Sequence, residues 1–280
     1  MIHVTKAEGV GVEPRPFVKM VGGKTALLPE LLTRIPPTFG TYFEVLVGGG
    51  ALFWALVRAG RIRSAARLSD ANDLLMNVYR VVRDDVEGLI EVLSEMPYDH
   101  DFYYDIRTQE PSTSIERAAW YLYLNKSGYN GLMRFNRRGG FNTPFGTYKN
   151  PTICNALLLR ACSRSLQATE LETALFETVL QHAHEGDLAY MDPPYLPVSK
   201  TANFTSYTSD GFKFADQERI RDVALELKER GVHILLSNSD HPRVRELYAD
   251  RRFIVDEVQA PRAINSRSDR RGPVTELLIR

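Results

Sequence analysis

The sequence predicts an α/β chain built on an open sheet, and three stretches predict it. Residues 41–47 read as a strand that runs into Gly48-Gly49-Gly50 and then into a helix over 51–59, closed by Gly60. Residues 65–69 read as a second short strand, ending in Asp70. Leu188-Ala189-Tyr190-Met191, preceded by Gly186-Asp187, is an apolar run that stops abruptly at Asp192-Pro193-Pro194-Tyr195. In open α/β sheets the ligand crevice lies beyond the carboxyl ends of the strands, so Asp192 and Tyr195 project into it on a backbone whose φ angles the prolines restrict. Taken alone, the tetrapeptide fits an ordinary Pro-Pro turn with a solvated acid equally well.

With 280 residues, 44% hydrophobic and 25% charged, the chain can bury a core as one large domain or as a domain with an insertion. No apolar run reaches the roughly 18 residues of a membrane span, and the first residues lack the apolar segment of a signal peptide, which places the chain in the cytoplasm. Cys154 and Cys162 cannot build a disulfide framework, and with six scattered histidines they show no zinc-ligand spacing, so no metal is expected.

Taken in order, residues 1–13 form a polar leader and order begins near Pro16. Residues 17–24 turn through Gly22-Gly23-Lys24 into a helix over 25–35 that Pro36-Pro37 ends. Glycines before a helix let backbone N–H groups approach an anionic group, although a plain turn accounts for this segment equally well. The triple glycine at 48–50 lacks both the dinucleotide spacing and the full P-loop pattern. Asp70 occupies the place where such folds put an acid on a ribose hydroxyl; Asp70-Ala71-Asn72-Asp73 can also cap a helix over 74–82, and the two roles can coexist. Residues 84–117 are helical and amphipathic, and a further apolar helix covers 115–124.

Residues 125–142 carry an Arg-Gly-Gly turn between apolar-alternating arms and predict a β-hairpin, followed by an irregular loop over 144–151 and a helix over 157–166. After Tyr195, residues 196–214 form a loop too long to be idle in a compact domain. Asp216 caps a helix over 217–230, a buried strand covers 232–236, Pro242 starts another helix, and 253–258 pairs with 274–279 around the basic loop 262–271.

The 35 basic and 35 acidic residues cancel, but their distribution is uneven. Between Arg117 and Arg164 the chain carries Lys126, Arg134, Arg137, Arg138, Lys149 and Arg160 without one Asp or Glu. Such a run is usually a solvated face. This one is interleaved with Tyr129, Phe135, Phe141, Phe145 and Tyr148, a pattern that better suits a loop gripping nucleic acid.

These elements in this order resemble the Dam-type (D12 class) family of S-adenosylmethionine-dependent DNA adenine N6-methyltransferases, over nearly the whole chain. The resemblance is strongest at Asp192-Pro193-Pro194-Tyr195, at 125–142 with Pro144-Phe145-Gly146, and at Asn203-Phe204-Thr205-Ser206-Tyr207. It implies a Rossmann-like methyltransferase sheet formed by residues 1–74 and 155–280, with 75–154 as an inserted helical and β-hairpin target-recognition domain. It further implies that Met20, Lys24, Glu44, Gly48, Gly50, Asp70 and Asp192 line the S-adenosylmethionine site, and that Asp192, Pro193 and Tyr195 are catalytic. Lys19, Lys126, Tyr129, Asn130, Leu132, Arg134, Arg137 and Pro144 would meet double-stranded DNA, with the enzyme acting as a monomer or weak dimer. Members that methylate the adenine of GATC carry Tyr-Asn-Gly-Leu-x-Arg and then Pro-Phe-Gly, which 129–134 and 144–146 match, so Arg134 would read a guanine.

The chain departs from the pattern at Met20, where the family usually has Trp, and at Glu44-Val45-Leu46, where it has Glu-Pro-Phe. These positions pack around the donor, so a relative that binds DNA with an impaired donor pocket is the alternative, separable by titration with S-adenosylmethionine.

Overall fold

The computed structural model describes residues 11–136, 138–196, 212–260 and 274–280. Among them, β1 (Tyr42–Val45), β2 (Ala66–Asp70), β3 (Thr169–Thr173), β4 (Leu188–Met191), β5 (His233–Ser239), β6 (Val255–Ala260) and β7 (Val274–Ile279) form one sheet in the order β3-β2-β1-β4-β5-β7-β6. The first five strands are parallel, and β7 runs antiparallel to both β5 and β6. Strand order reverses between β1 and β4, the switch point where such sheets open a ligand crevice. Val45 pairs with Met191, so the glycine loop and the Asp-Pro-Pro-Tyr turn leave the sheet level with each other.

The strands bury both faces by simple alternation. Tyr42, Leu68, Tyr190, Leu235 and Leu278 face one apolar cluster, while Phe43, Val45, Ala189, Met191, Ile234 and Leu236 face the other. The first cluster is covered by α1 (Leu28–Arg34), α2 (Ala51–Arg58), α3 (Asp73–Asp84), α4 (Val86–Ser94), α5 (His100–Ile106), α6 (Ser114–Ser127) and α7 (Ala156–Leu166). The second lies under α8 (Phe214–Glu229) and α9 (Pro242–Leu247). Trp54, Tyr79, Tyr103 and Tyr123 are fully buried on the first side, each such ring contributing roughly 1.5–3 kcal/mol by area.

Several expectations need adjusting. The helical stretch over 84–117 is broken into α4, α5 and the start of α6, because Pro97 and Pro111 in the two gaps cannot donate to a helical ladder. The helix over 25–35 begins as a 3-10 turn, Lys24–Leu27, before α1 takes over at Leu28. Asp216 is not the cap of α8; Lys213 is, and Asp216 reaches back to accept from its N–H at 2.7 Å.

The hairpin over 125–142 is the largest correction. α6 continues to Ser127 and takes up Asn125 and Lys126, Tyr129–Gly131 is a 3-10 turn, and among the described residues strand-like pairing is limited to two isolated bridges, Phe135–Phe141 and Gly128–Phe145. Asn136 ties the turn beyond that bridge by accepting from Arg138 N at 2.8 Å and Gly140 N at 3.0 Å. The segment is pinned by packing, with Phe135 and Phe141 against Trp120 of α6, so it needs no ladder.

No helix among the described residues is long and apolar enough to cross a membrane.

Candidate active site

The glycine loop is built by backbone geometry. Leu46, Gly48 and Gly50 take φ of 60°, 49° and 65°, which folds the end of β1 back into α2. A Cβ on Gly50 would meet the Tyr79 hydroxyl at 3.0 Å and the Trp54 ring nitrogen at 3.2 Å. Tyr79 Oη donates to Gly48 O at 3.1 Å and Trp54 Nε1 to Gly49 O at 3.2 Å, so two buried aromatics hold the loop carbonyls. Met20 lies on the same loop, its Cγ 3.5 Å from where a Gly49 Cβ would be.

Asp70 ends β2 and braces the loop, with Oδ2 accepting from Gly48 N at 3.1 Å and Oδ1 from Asn72 N at 3.0 Å. The cap of α3 is Asn72, which accepts from Leu75 N at 3.2 Å. The capping role therefore falls to Asn72, and Asp70 holds the glycine loop. Burial pushes the Asp70 carboxyl up, and the two backbone donors oppose it. Each oxygen keeps capacity for a further donor.

Across the switch point, Lys24 is buried, and its Nζ lies 2.9 Å from Asp192 Oδ1, 4.6 Å from the Tyr195 ring centroid, and donates to Gly22 O at 2.7 Å. The contact with Asp192 is a close ion pair, while Oδ1 itself is buried without an aligned hydrogen bond. Burial pushes the Asp192 carboxyl up to about 6, with Lys24 pulling the other way and the carboxylate of Glu276 adding to the rise. Tyr195 Oη donates to Glu276 Oε2 at 2.5 Å.

Glu44 sits deeper, 3% exposed, accepting at Oε2 from Tyr42 Oη at 2.7 Å and from Phe53 N at 2.9 Å. It joins β1 to the first turn of α2, and burial pushes its carboxyl up to about 8.

Behind the turn lies a polar layer. Gln217 and Asn238 are fully buried; Gln217 Nε2 donates to Pro194 O at 2.8 Å and Oε1 accepts from Asn238 Nδ2 at 2.8 Å. Tyr190 Oη and Ser237 Oγ are 2.6 Å apart in the same layer. Sequence reading missed Gln217, Asn238 and Glu276. The polar triplet Ser237-Asn238-Ser239, continuing an apolar strand, was the available signal.

A second group of expected residues gathers around the end of α6. Asn125, fully buried, accepts from Lys19 N at 2.7 Å and donates to Lys19 O at 2.8 Å and Gly131 O at 3.0 Å. Lys19 Nζ lies 4.2 Å over the Tyr148 ring and donates to Lys126 O at 3.3 Å. Lys126 is half-buried, and its ammonium is pushed down to about 8 by burial, with Lys19 and Arg15 adding to it.

Tyr129, Asn130, Arg134 and Pro144 are exposed and Leu132 is half-buried on the adjoining loop, with Tyr129 N donating to Pro144 O at 2.9 Å. Thr143, fully buried, organises this loop: its Oγ1 accepts from Arg134 N at 3.3 Å and donates to Leu132 O at 2.8 Å. Arg137, 203–207 and 262–271 lie outside the described residues. The acid-free run is not a single face, because Arg117 pairs with Asp73 and Arg160 with Glu87.

Among the described residues no group of three or more His, Cys, Asp or Glu side chains could hold a metal ion.

Residues 21–264 match the family described as D12 class N6 adenine-specific DNA methyltransferase. The chain is 38% identical over 275 residues to a protein of Lactococcus lactis subsp. cremoris named type II methyltransferase M1.LlaDCHI, covering 95% of this chain and 94% of that one. It is 35% identical to type II methyltransferase M.MjaIII of Methanocaldococcus jannaschii, over 96% and 99% of the two chains. It is 33% identical to the DNA adenine methylase of Escherichia coli K12, over 94% of each.

Proposed function

From the premise that the chain belongs to the D12 class of N6 adenine-specific DNA methyltransferases, we propose that it methylates adenine in GATC using S-adenosylmethionine, on a base flipped into the Asp192–Tyr195 site. The observation that carries this reading is the close Lys24–Asp192 pair, 2.9 Å apart at the switch point of the sheet with the Tyr195 ring beside it. The ammonium meets one oxygen of the carboxylate, and the acceptor capacity that is left can take a donor from the substrate.

The residues present fit the donor. Asp70 has acceptor capacity for a ribose diol, Gly48 and Gly50 supply the positive-φ backbone that folds the loop at the switch point, and Lys24 offers a cation to a carboxylate. Met20 lines the loop with a thioether where relatives carry an indole face, and we propose that it still belongs to the donor pocket. Glu44 acts through the α2 turn that it braces. When bound, S-adenosylmethionine supplies an electrophilic methyl group.

The chain's own part is to prepare the amino group. Adenine N6 is a weak nucleophile because its lone pair is delocalised into the ring. Acceptance of its two N–H bonds by Asp192 carboxylate and Pro193 carbonyl localises that pair and favours a pyramidal nitrogen. The carboxylate must be ionised to do so. The target atom is inaccessible in a duplex, so the base leaves the stack, and Tyr195, with Lys24 over its ring, supplies an aromatic wall.

For the DNA side, residues 75–154 supply the reading surface, with Arg134 on a guanine, Leu132 and Pro144 on a thymine methyl, Tyr129 and Asn130 at the opened stack, and Lys19, Lys126 and Arg137 completing the basic surround. The exposure of Tyr129, Asn130, Arg134 and Pro144 on one pinned loop supports this reading. We place the enzyme in the cytoplasm with its DNA, as a monomer or weak dimer. The type II names of two relatives make a partner endonuclease a further part of the proposal. Transfer of tritiated methyl groups to GATC duplexes and to singly substituted duplexes tests it: incorporation confined to GATC is expected, and equal incorporation into all duplexes overturns the assignment of the site.

A further inference from the structure

Two of the four residues in the Asp192-Pro193-Pro194-Tyr195 turn are prolines and have no N–H to donate, so the turn cannot be fixed by a backbone ladder of its own. What holds it must reach its carbonyls and flanking side chains from elsewhere. Two part-buried contacts do so. Gln217 of α8 donates to Pro194 O at 2.8 Å, and is itself oriented by Asn238 of β5. Glu276 of β7, which stands opposite Ser239 of β5 and Val258 of β6, accepts from Tyr195 Oη at 2.5 Å.

Building on the proposed function, we infer that Glu276 and Gln217 are positioning residues that clamp the two halves of this turn, keeping Asp192 carboxylate and Pro193 carbonyl aimed at the amino group. Gln217 engages the carbonyl of Pro194, so the neighbouring carbonyl of Pro193 is held by the rigid Pro-Pro backbone in a fixed direction. Glu276 fixes the Tyr195 phenol while Lys24 sits over its ring, so the wall that faces the base is restrained both at its tip and on one face.

An acid at position 276 has a second consequence that an amide would lack. Asp192 is faced by Lys24 from the N-terminal 3-10 turn, Glu44 from β1, Tyr190 from β4, Tyr195 from its own turn and Glu276 from β7. Glu276 contributes a like charge to that set, and Gln would keep the phenol acceptor while removing the charge. Hydrogen bond and charge can therefore be separated.

The test uses the full-length protein with Glu276→Ala, Glu276→Gln and the pair Gln217→Leu with Asn238→Leu, which removes both amides so that neither is left unsatisfied. Two quantities are read: amide hydrogen exchange of the peptide spanning 188–196 in the free protein, and the single-turnover methyl-transfer rate on GATC duplex against pH. Glu276→Ala and the pair are expected to raise exchange in this peptide at least tenfold and lower the rate at least tenfold, with little change in half-saturation by DNA. Glu276→Gln is expected to keep exchange slow, recover most of the rate at pH 8, and move the acid limb of the profile to lower pH. Unchanged exchange in Glu276→Ala overturns the clamp whatever the activity of the parent protein. A parent protein that transfers no methyl group to adenine overturns the proposed function instead, and the exchange data still decide the clamp. Should the paired variant lose its melting transition, the two Glu276 variants decide alone.

Discussion

The ammonium of Lys24 lies 2.9 Å from Asp192 Oδ1 and 4.6 Å from the centre of the Tyr195 ring, so one buried cation meets both ends of the Asp192–Tyr195 turn. Burial raises the Asp192 carboxyl to about 6 and Lys24 restrains that rise. A carboxyl raised in this way protonates as pH falls through 6, and the protonated form no longer accepts at both oxygens. The methyl-transfer rate is expected to drop about tenfold per unit below that point. Lys24→Met removes the opposing charge, so its acid limb moves to higher pH; a limb that stays put or moves down refutes the coupling.

Asp192→Ala removes an acceptor used at the chemical step rather than a packing group. Transfer is expected to fall by at least about a thousandfold, while DNA affinity changes less than about threefold. Near parental turnover would remove Asp192 from the mechanism.

Glu44 gives a stability prediction of definite sign. Its carboxyl titrates near 8 in the fold against an ordinary 4.5, so between those values the folded chain holds a proton that the unfolded chain has released. That group's contribution to stability is greatest at acid pH and declines as pH rises to 8. Glu44→Gln keeps acceptors for Tyr42 and Phe53 and loses the titration, so the difference in melting temperature between variant and parent should shift in favour of the variant from pH 5 to pH 8.5. A constant difference would place the ionised form in the fold.

Arg134→Ala separates base reading from phosphate contact. If Arg134 reads a guanine, the variant loses about 1–3 kcal/mol on GATC and relaxes discrimination at one base pair. Uniform loss across singly substituted sites, with a shallower salt dependence, would assign the arginine to the backbone instead.

Met20→Trp restores a rigid ring at the glycine loop, and donor affinity measured by titration calorimetry is expected to improve by about 1 kcal/mol. Unchanged or weaker binding would show that Met20 and Leu46 belong to a pocket packed on different terms.

The strand ends that border the candidate site were legible because apolar runs broken by Gly or Pro announce themselves: β1, β2, β4 and their terminal Asp70 and Asp192 lie within two residues of expectation. β3 was not legible, since Thr169–Thr173 is an edge strand with only Thr169 buried and therefore no apolar alternation. Residues 125–142 looked like a full hairpin because turn residues and aromatics alternate there, but Phe135 and Phe141 meet at a single bridge and pack down onto Trp120 of α6 instead of extending into strands. Asn125, Thr143, Gln217 and Glu276 escaped notice for one physical reason. Each works through hydrogen bonds to residues distant in sequence, and no local spacing records such a partner.

The position of β7 in the sheet constrains how the chain can be made. Among the described strands, residues 274–279 leave the ribosome last, yet they belong between β5 and β6. Until they arrive, β5 offers a bare row of backbone donors and acceptors beside Leu235 and Leu236, and β6 has no native neighbour. Glu276 travels on that late strand. A nascent chain can thus assemble the glycine loop and the parallel half of the sheet well before Tyr195 gains its partner, which postpones completion of the Asp192–Tyr195 turn until β7 has emerged.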